Sequence, residues 1–157
     1  MANDWHILAN PDEIPSPALL VYPEHIEENI HRMVTALGQA ERLRTHVKTH
    51  KMAEVVQMQT KAGISKFKCA TIAEAEMLGQ AGARDVLLAN QPVGPNIGRL
   101  LGLAGWFRDV RFSTIADDAE AVGALSEAAQ VAGITLPVWL DLDAGMGRTG
   151  IPLGQAA

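Results

Sequence analysis

The stretch LRTHVKTHKMAEVVQMQTKAGISKFKCATIAEAEMLGQAGARDVLLAN, residues 43–90, decides the fold. Residues 43–48, 66–71 and 85–90 are short apolar or β-branched runs bounded by breakers, which is how strands read. Residues 52–61 and 72–81 carry helical patterns between them. Ala62-Gly63 and Ala81-Gly82 stand where each helix must stop and turn back into a strand. Strand, helix, strand, helix, strand in that order implies parallel strands joined by right-handed crossovers.

The pattern continues outward in both directions. Downstream come a helix over 95–106, a strand over 110–115, a helix over 116–132 that stops at Gly133, and a strand over 137–143. Upstream, an apolar run at 18–22 reads as a further strand. The segment 23–39 reads as a helix, with Ile26, Ile30, Met33 and Leu37 at helical spacing. An eight-stranded β/α barrel takes about 250 residues, and this chain has 157. From residue 43 on it offers five βα-type strands, and no helix covers the last. The expected fold is therefore α/β, a partial, truncated β/α barrel of the TIM type with about five parallel strands, rather than an open sheet. An open strand edge and uncovered core predict self-association.

Composition narrows the function classes. Hydrophobic residues are 48% and charged residues 20% of the chain, the balance of a core-forming protein. Thirteen Lys and Arg against eighteen Asp and Glu leave a formal charge of −5, which excludes nucleic acid as the main partner. A single cysteine, Cys69, allows no internal disulfide and points to a reducing compartment. The N-terminus has no basic and apolar signal pattern, and no apolar run reaches the ~20 residues that span a bilayer. A cytoplasmic protein with no membrane partner is expected.

The basic run Arg44-Thr45-His46-Val47-Lys48-Thr49-His50-Lys51 is the least ordinary. As a strand with period two, Leu43, Thr45 and Val47 form one face, and Arg44, His46 and Lys48 the other. Strands of parallel sheets are covered on both faces, and α/β folds place their chemistry at the C-terminal ends of strands. A desolvated lysine among other cations there is a good amine nucleophile, suited to a Schiff base with a carbonyl. Lys48 shares the inward parity of His46 and ends the strand, whereas Lys51 lies beyond it and reads as solvent-facing.

The second candidate is Ala144-Gly145-Met146-Gly147-Arg148-Thr149-Gly150, directly after the last strand. Its glycines permit positive φ and close backbone approach, and Arg148 offers a rigid fork of donors for an anionic oxygen. It lacks the lysine-serine ending of a P-loop. Asp141 and Asp143 share one parity and read as structural acceptors for backbone amides or an arginine. The five histidines and one cysteine make no metal site.

In combination these segments are more specific. Residues 44–51 resemble the R-P-H-x-K-x-H-K signature of the D-threonine aldolase and D-serine dehydratase family, pyridoxal-phosphate enzymes of the alanine-racemase-like barrel group. Pro17-Ala18-Leu19-Leu20-Val21-Tyr22 is similar to that family's first strand. Phe67-Lys68-Cys69-Ala70-Thr71-Ile72-Ala73-Glu74-Ala75-Glu76 is similar to its second barrel strand and helix. Leu142-Asp143-Ala144-Gly145-Met146-Gly147-Arg148-Thr149-Gly150 resembles the D-x-G-x-x-R-x-G loop shared with alanine racemases. The likeness is collinear over nearly all of residues 1–157, taken as one N-terminal barrel domain of the alanine racemase type.

The resemblance implies that Lys48 forms the internal aldimine with pyridoxal 5'-phosphate, that Arg148 donates to its phenolate oxygen, and that His46 lies beside its ring. It implies a lyase acting on β-hydroxy D-amino acids, most nearly an aldolase releasing glycine and an aldehyde, with D-serine or 3-hydroxyaspartate dehydration as the alternative. A non-catalytic cofactor-binding fragment is the reading from another class. Thr45 replaces the family's proline, and Asn90 stands where many relatives carry tyrosine. Asp141 and Met52 stand where alanine racemases carry lysine and tyrosine, which directs the reading away from racemization. The family's later strands, its β-domain and its divalent-metal ligands are not expected within this chain, and a homodimer is expected of the full-length form.

Overall fold

In the computed structural model, which describes residues 6–155, Pro23 opens helix α1 (Pro23–Leu37) and Gly38, at φ 73°, closes it. A proline at the first helical position loses no hydrogen bond, and a glycine takes the left-handed turn without strain. Residues 1–5 and 156–157, the two ends of the unit read from the sequence, lie outside the described residues. Strand β1 (Arg44–His46) is followed by α2 (Ala53–Lys61), β2 (Lys66–Cys69), α3 (Ile72–Gln80) and β3 (Asp85–Leu88). Then come α4 (Pro95–Trp106), β4 (Arg111–Ala116), α5 (Ala119–Ala132) and β5 (Val138–Leu140). Two helices are capped by side chains: Thr71 Oγ1 accepts the Glu74 N–H at 3.2 Å, and Asp118 Oδ1 accepts the Ala121 N–H at 2.9 Å.

The five strands form one sheet in the order β1-β2-β3-β4-β5, all parallel, as the alternation requires. Register follows the pleat. Arg44, Lys66, Asp85 and Arg111 lie side by side in one row; Thr45, Phe67, Val86 and Phe112 form the next; His46, Lys68, Leu87 and Ser113 the third. The even rows face the helices. Phe67, Val86, Phe112, Cys69 and Leu88 are buried there against Val56, Ile64, Leu78 and Leu100, forming the core. The odd rows form the inner face of the curved sheet and are largely half-buried. The chain is thus α/β, a partial barrel of five parallel strands.

Two expected strands differ in their pairing. Residues 18–22 pair with no strand; Leu19, Leu20 and Val21 are exposed and lie over α1 and α2, where they line a groove of about 710 Å³ with Ile26, Ile30 and Val55. An apolar, β-branched run has a strand's composition whether or not a ladder partner exists, and among the described residues none does. The run 137–143 divides: β5 ends at Leu140, and Leu142–Asp143 (β6) pairs in parallel with Ile151–Pro152 (β7) in a separate two-stranded sheet. Gly150, at φ 97°, makes that return possible, because a Cβ there would stand 2.6 Å from the Asp143 nitrogen. Among the described residues no helix is long and apolar enough to cross a membrane.

Candidate active site

The strand that begins the site is shorter than its sequence pattern. β1 ends at His46, and the chain tightens into a 3-10 turn, Val47–Thr49. Leu43 and Val47 are buried toward the helices, and Thr45 Oγ1 donates to Gln59 Oε1 of α2 at 3.2 Å, as the period-two reading expects. Lys48, however, sits in the turn, where strand alternation no longer applies, and its side chain is exposed. The expectation of a dry amine is corrected: the Lys48 amine is exposed at the C-terminal end of the sheet. Lys48 enters none of the ion pairs among the described residues.

Histidines hold this turn. His46 Nδ1 accepts the Lys48 N–H at 3.4 Å, Thr49 Oγ1 donates to the His46 carbonyl at 3.4 Å, and His50 Nδ1 accepts the Met52 N–H at 3.1 Å. An Nδ1 that accepts must be unprotonated. Burial, then the charges of Lys68 and Lys48, push the His46 pKa down; burial does the same for His50. Both imidazoles are therefore neutral at pH 7.

Lys68 was not singled out by sequence reasoning. It is the register partner of His46 and projects from the same face. The signal was present, since Lys66 and Lys68 alternate with the buried Phe67 and Cys69. Below this layer the charges are matched: Arg44 Nη1 lies 2.6 Å from Asp85 Oδ1, and Arg111 Nη1 lies 3.8 Å from Asp85 Oδ2. The inner face thus has an ion-paired floor at the N-terminal end of the strands and, near the C-terminal end, Lys68, which enters none of the ion pairs among the described residues. Cys69 faces the core, and burial pushes its thiol up to about 12, so it is inert.

Arg148 is exposed in the glycine loop, which follows β5 and β6. It therefore shares the C-terminal side of the sheet with Lys48 but at the opposite edge, after the fifth strand of the order β1-β2-β3-β4-β5. The loop is built by a carboxylate. Asp143 Oδ1 accepts the Gly147 N–H at 3.0 Å and the Gly145 N–H at 2.9 Å, and these amides hold its carboxyl below the usual range. Gly150 N–H donates to Asp117 Oδ2 at 2.8 Å. The structural reading of Asp143 stands. No group of three or more His, Cys, Asp or Glu side chains among the described residues is placed to hold a metal ion.

A parallel β/α sheet with a lysine turn and an arginine loop on its C-terminal side defines a class, the β/α barrels that carry their chemistry at that end. Over residues 21–157 the chain matches the alanine racemase N-terminal domain family, and it belongs to that family. It is 33% identical over 147 residues to 3-hydroxy-D-aspartate aldolase of Paracoccus denitrificans, covering 92% of this chain and 38% of that protein. Over 139 residues it is 30% identical to D-threo-3-hydroxyaspartate dehydratase of Delftia sp. (strain HT23), covering 88% of this chain and 36% of that protein. The crystal structure of D-threonine aldolase from Filomicrobium marinum superposes with a TM-score of 0.78 at 29% identity, over 88% of this chain and 37% of that one. The chain thus spans little more than a third of the length of these relatives.

Proposed function

We propose that this chain is the N-terminal barrel part of a pyridoxal-phosphate-dependent lyase that cleaves β-hydroxy D-amino acids to glycine and an aldehyde. The lysine turn carries the reading: an unpaired amine, Lys48, on a turn fixed by a neutral histidine beside a second cation. Membership of a family with aldolase and dehydratase relatives supports it. The donor set has the chemistry the cofactor requires. Lys48 offers an amine to its aldehyde, Arg148 a rigid fork of donors to its phenolate oxygen, and His46 an uncharged flat ring beside it. When bound, pyridoxal phosphate supplies an electron sink for charge developing at the substrate α-carbon.

The chain's own residues then have distinct tasks. His46 keeps the turn in place through its Nδ1 and, being neutral, adds no further positive charge beside the Lys48 amine. With its amine free, Lys48 would be the base for the proton of the β-hydroxyl oxygen. Arg148 fixes the ring's orientation. Divalent-metal ligation and the second subunit of a homodimer belong, on this reading, to the full-length protein.

The dehydratase relative supports a second reaction on the same scaffold, breaking Cβ–O instead of Cα–Cβ. Adding pyridoxal phosphate should produce a visible band that Lys48→Ala abolishes. D-Threonine or D-3-hydroxyaspartate should then yield glycine, whereas a keto acid identifies dehydration. A band with neither product from the full-length protein contradicts the lyase reading.

A further inference from the structure

Two lysines flank His50, and one buried carboxylate distinguishes them. Glu74 stands in the first turn of α3, 5% exposed, its main chain fixed by the Thr71 cap. Its Oε2 accepts the Ala70 N–H at 2.8 Å, while Oε1 is buried and takes no hydrogen bond. A buried carboxylate oxygen left unbonded is costly. The Lys51 ammonium forms an ion pair with it, its Nζ 3.4 Å away. The Lys51 backbone is held in the same place, at φ 53°, with its N–H donating to the Val47 carbonyl at 2.8 Å. Lys48, three residues earlier, has no carboxylate partner among the described residues.

We propose that Glu74 is the positioning residue that selects Lys48 over Lys51 as the reactive amine. Condensation joins the amine nitrogen to the aldehyde carbon and releases one water, so it begins only from an amine with a free lone pair. Lys51, its Nζ drawn 3.4 Å from Glu74 Oε1, must break that pair and leave a buried carboxylate oxygen unpaired before it can reach an aldehyde. Lys48 is under no such hold and reacts. The inference rests on the proposed function, and it explains how a turn with two neighbouring lysines directs one aldehyde to one of them.

The test uses pyridoxal phosphate as the probe at equimolar concentration, borohydride reduction, and mass spectrometry of the digested protein. Wild type should carry the label on Lys48. Glu74→Gln keeps an oxygen for the Ala70 N–H and removes the charge; the share of label on Lys51 should rise about two- to fivefold, as loss of a partly exposed ion pair produces. Lys48→Ala alone should leave Lys51 unlabelled, and Lys48→Ala with Glu74→Gln should label it. Glu74→Asp should restore selection in part. Wild type itself gives a check that needs no variant: raising salt from about 0.05 to about 1 M screens the half-exposed pair and should raise the Lys51 share. Equal Lys51 labelling with and without the Glu74 charge, or labelling of Lys51 in Lys48→Ala alone, overturns the inference while leaving Lys48 as the cofactor lysine. Wild type labelled at neither lysine overturns the proposed function instead.

Discussion

Asp85→Asn tests the layered inner face. The Asp85 carboxylate serves two guanidinium groups, Arg44 at 2.6 Å and Arg111 at 3.8 Å. The Arg111 side chain is 62% exposed, so its pair resembles a surface bridge and contributes little. The Arg44 pair is mostly buried, with side chains 23% and 15% exposed. It belongs between an exposed pair worth up to about 1 kcal/mol and a buried pair whose breakage costs about 3–5 kcal/mol. Asparagine keeps one acceptor for Arg44, so the expected loss is about 2 kcal/mol, a sizeable part of a domain stability of about 5–15 kcal/mol. A double-mutant cycle with Arg44→Met, read by urea unfolding, should return a coupling of about 1–2 kcal/mol. The cofactor label on Lys48 should stay in place, because the floor lies two residues below His46 on β1. A coupling under about 0.3 kcal/mol would mean that the floor is not an ion-paired layer, and the separation of floor from site would fall with it.

Two further outcomes follow from the same geometry. Gly150→Ala forces a Cβ to within 2.6 Å of the Asp143 nitrogen at φ 97°; strain of about 1–3 kcal/mol should displace the Arg148 loop, weakening pyridoxal-phosphate binding in an equilibrium titration more than it lowers the melting temperature. An unchanged affinity contradicts a role for that loop. His46 has a lowered pKa in the fold and faces Lys68, Lys48 and Glu74, so the unfolded chain binds its proton at higher pH than the folded one. Its contribution to stability is complete above the unfolded value of about 6.5 and is lost as pH falls through the folded pKa. His46→Asn keeps a side-chain acceptor for the Lys48 N–H and should flatten the melting temperature between about pH 7 and pH 5; an unchanged slope contradicts the neutral imidazole.

The alternation of strands and helices was legible because its punctuation is local. Ala-Gly helix stops, the prolines opening α1 and α4, and apolar runs of strand length each act within a few residues, and the parallel order follows from them. Residues 18–22 misled because composition cannot report whether a ladder partner exists. Lys48 was read as the end of a strand and as dry, but β1 stops at His46 and the side chain is exposed, since a pleat reading carries on past the point where Val47–Thr49 leaves the strand. Lys68 and Glu74 were legible in principle. The first follows from period-two alternation through β2, and the second from the Thr71-x-x-Glu74 spacing at a helix start. The Glu74–Lys51 pair joins segments that no local pattern relates.

The most direct measurement is the position of the cofactor label on the wild-type chain. Mixed with pyridoxal phosphate, reduced with borohydride and digested, the protein should yield one modified peptide with the added mass on Lys48. Added mass on Lys51, or spread evenly over the surface lysines, contradicts the account.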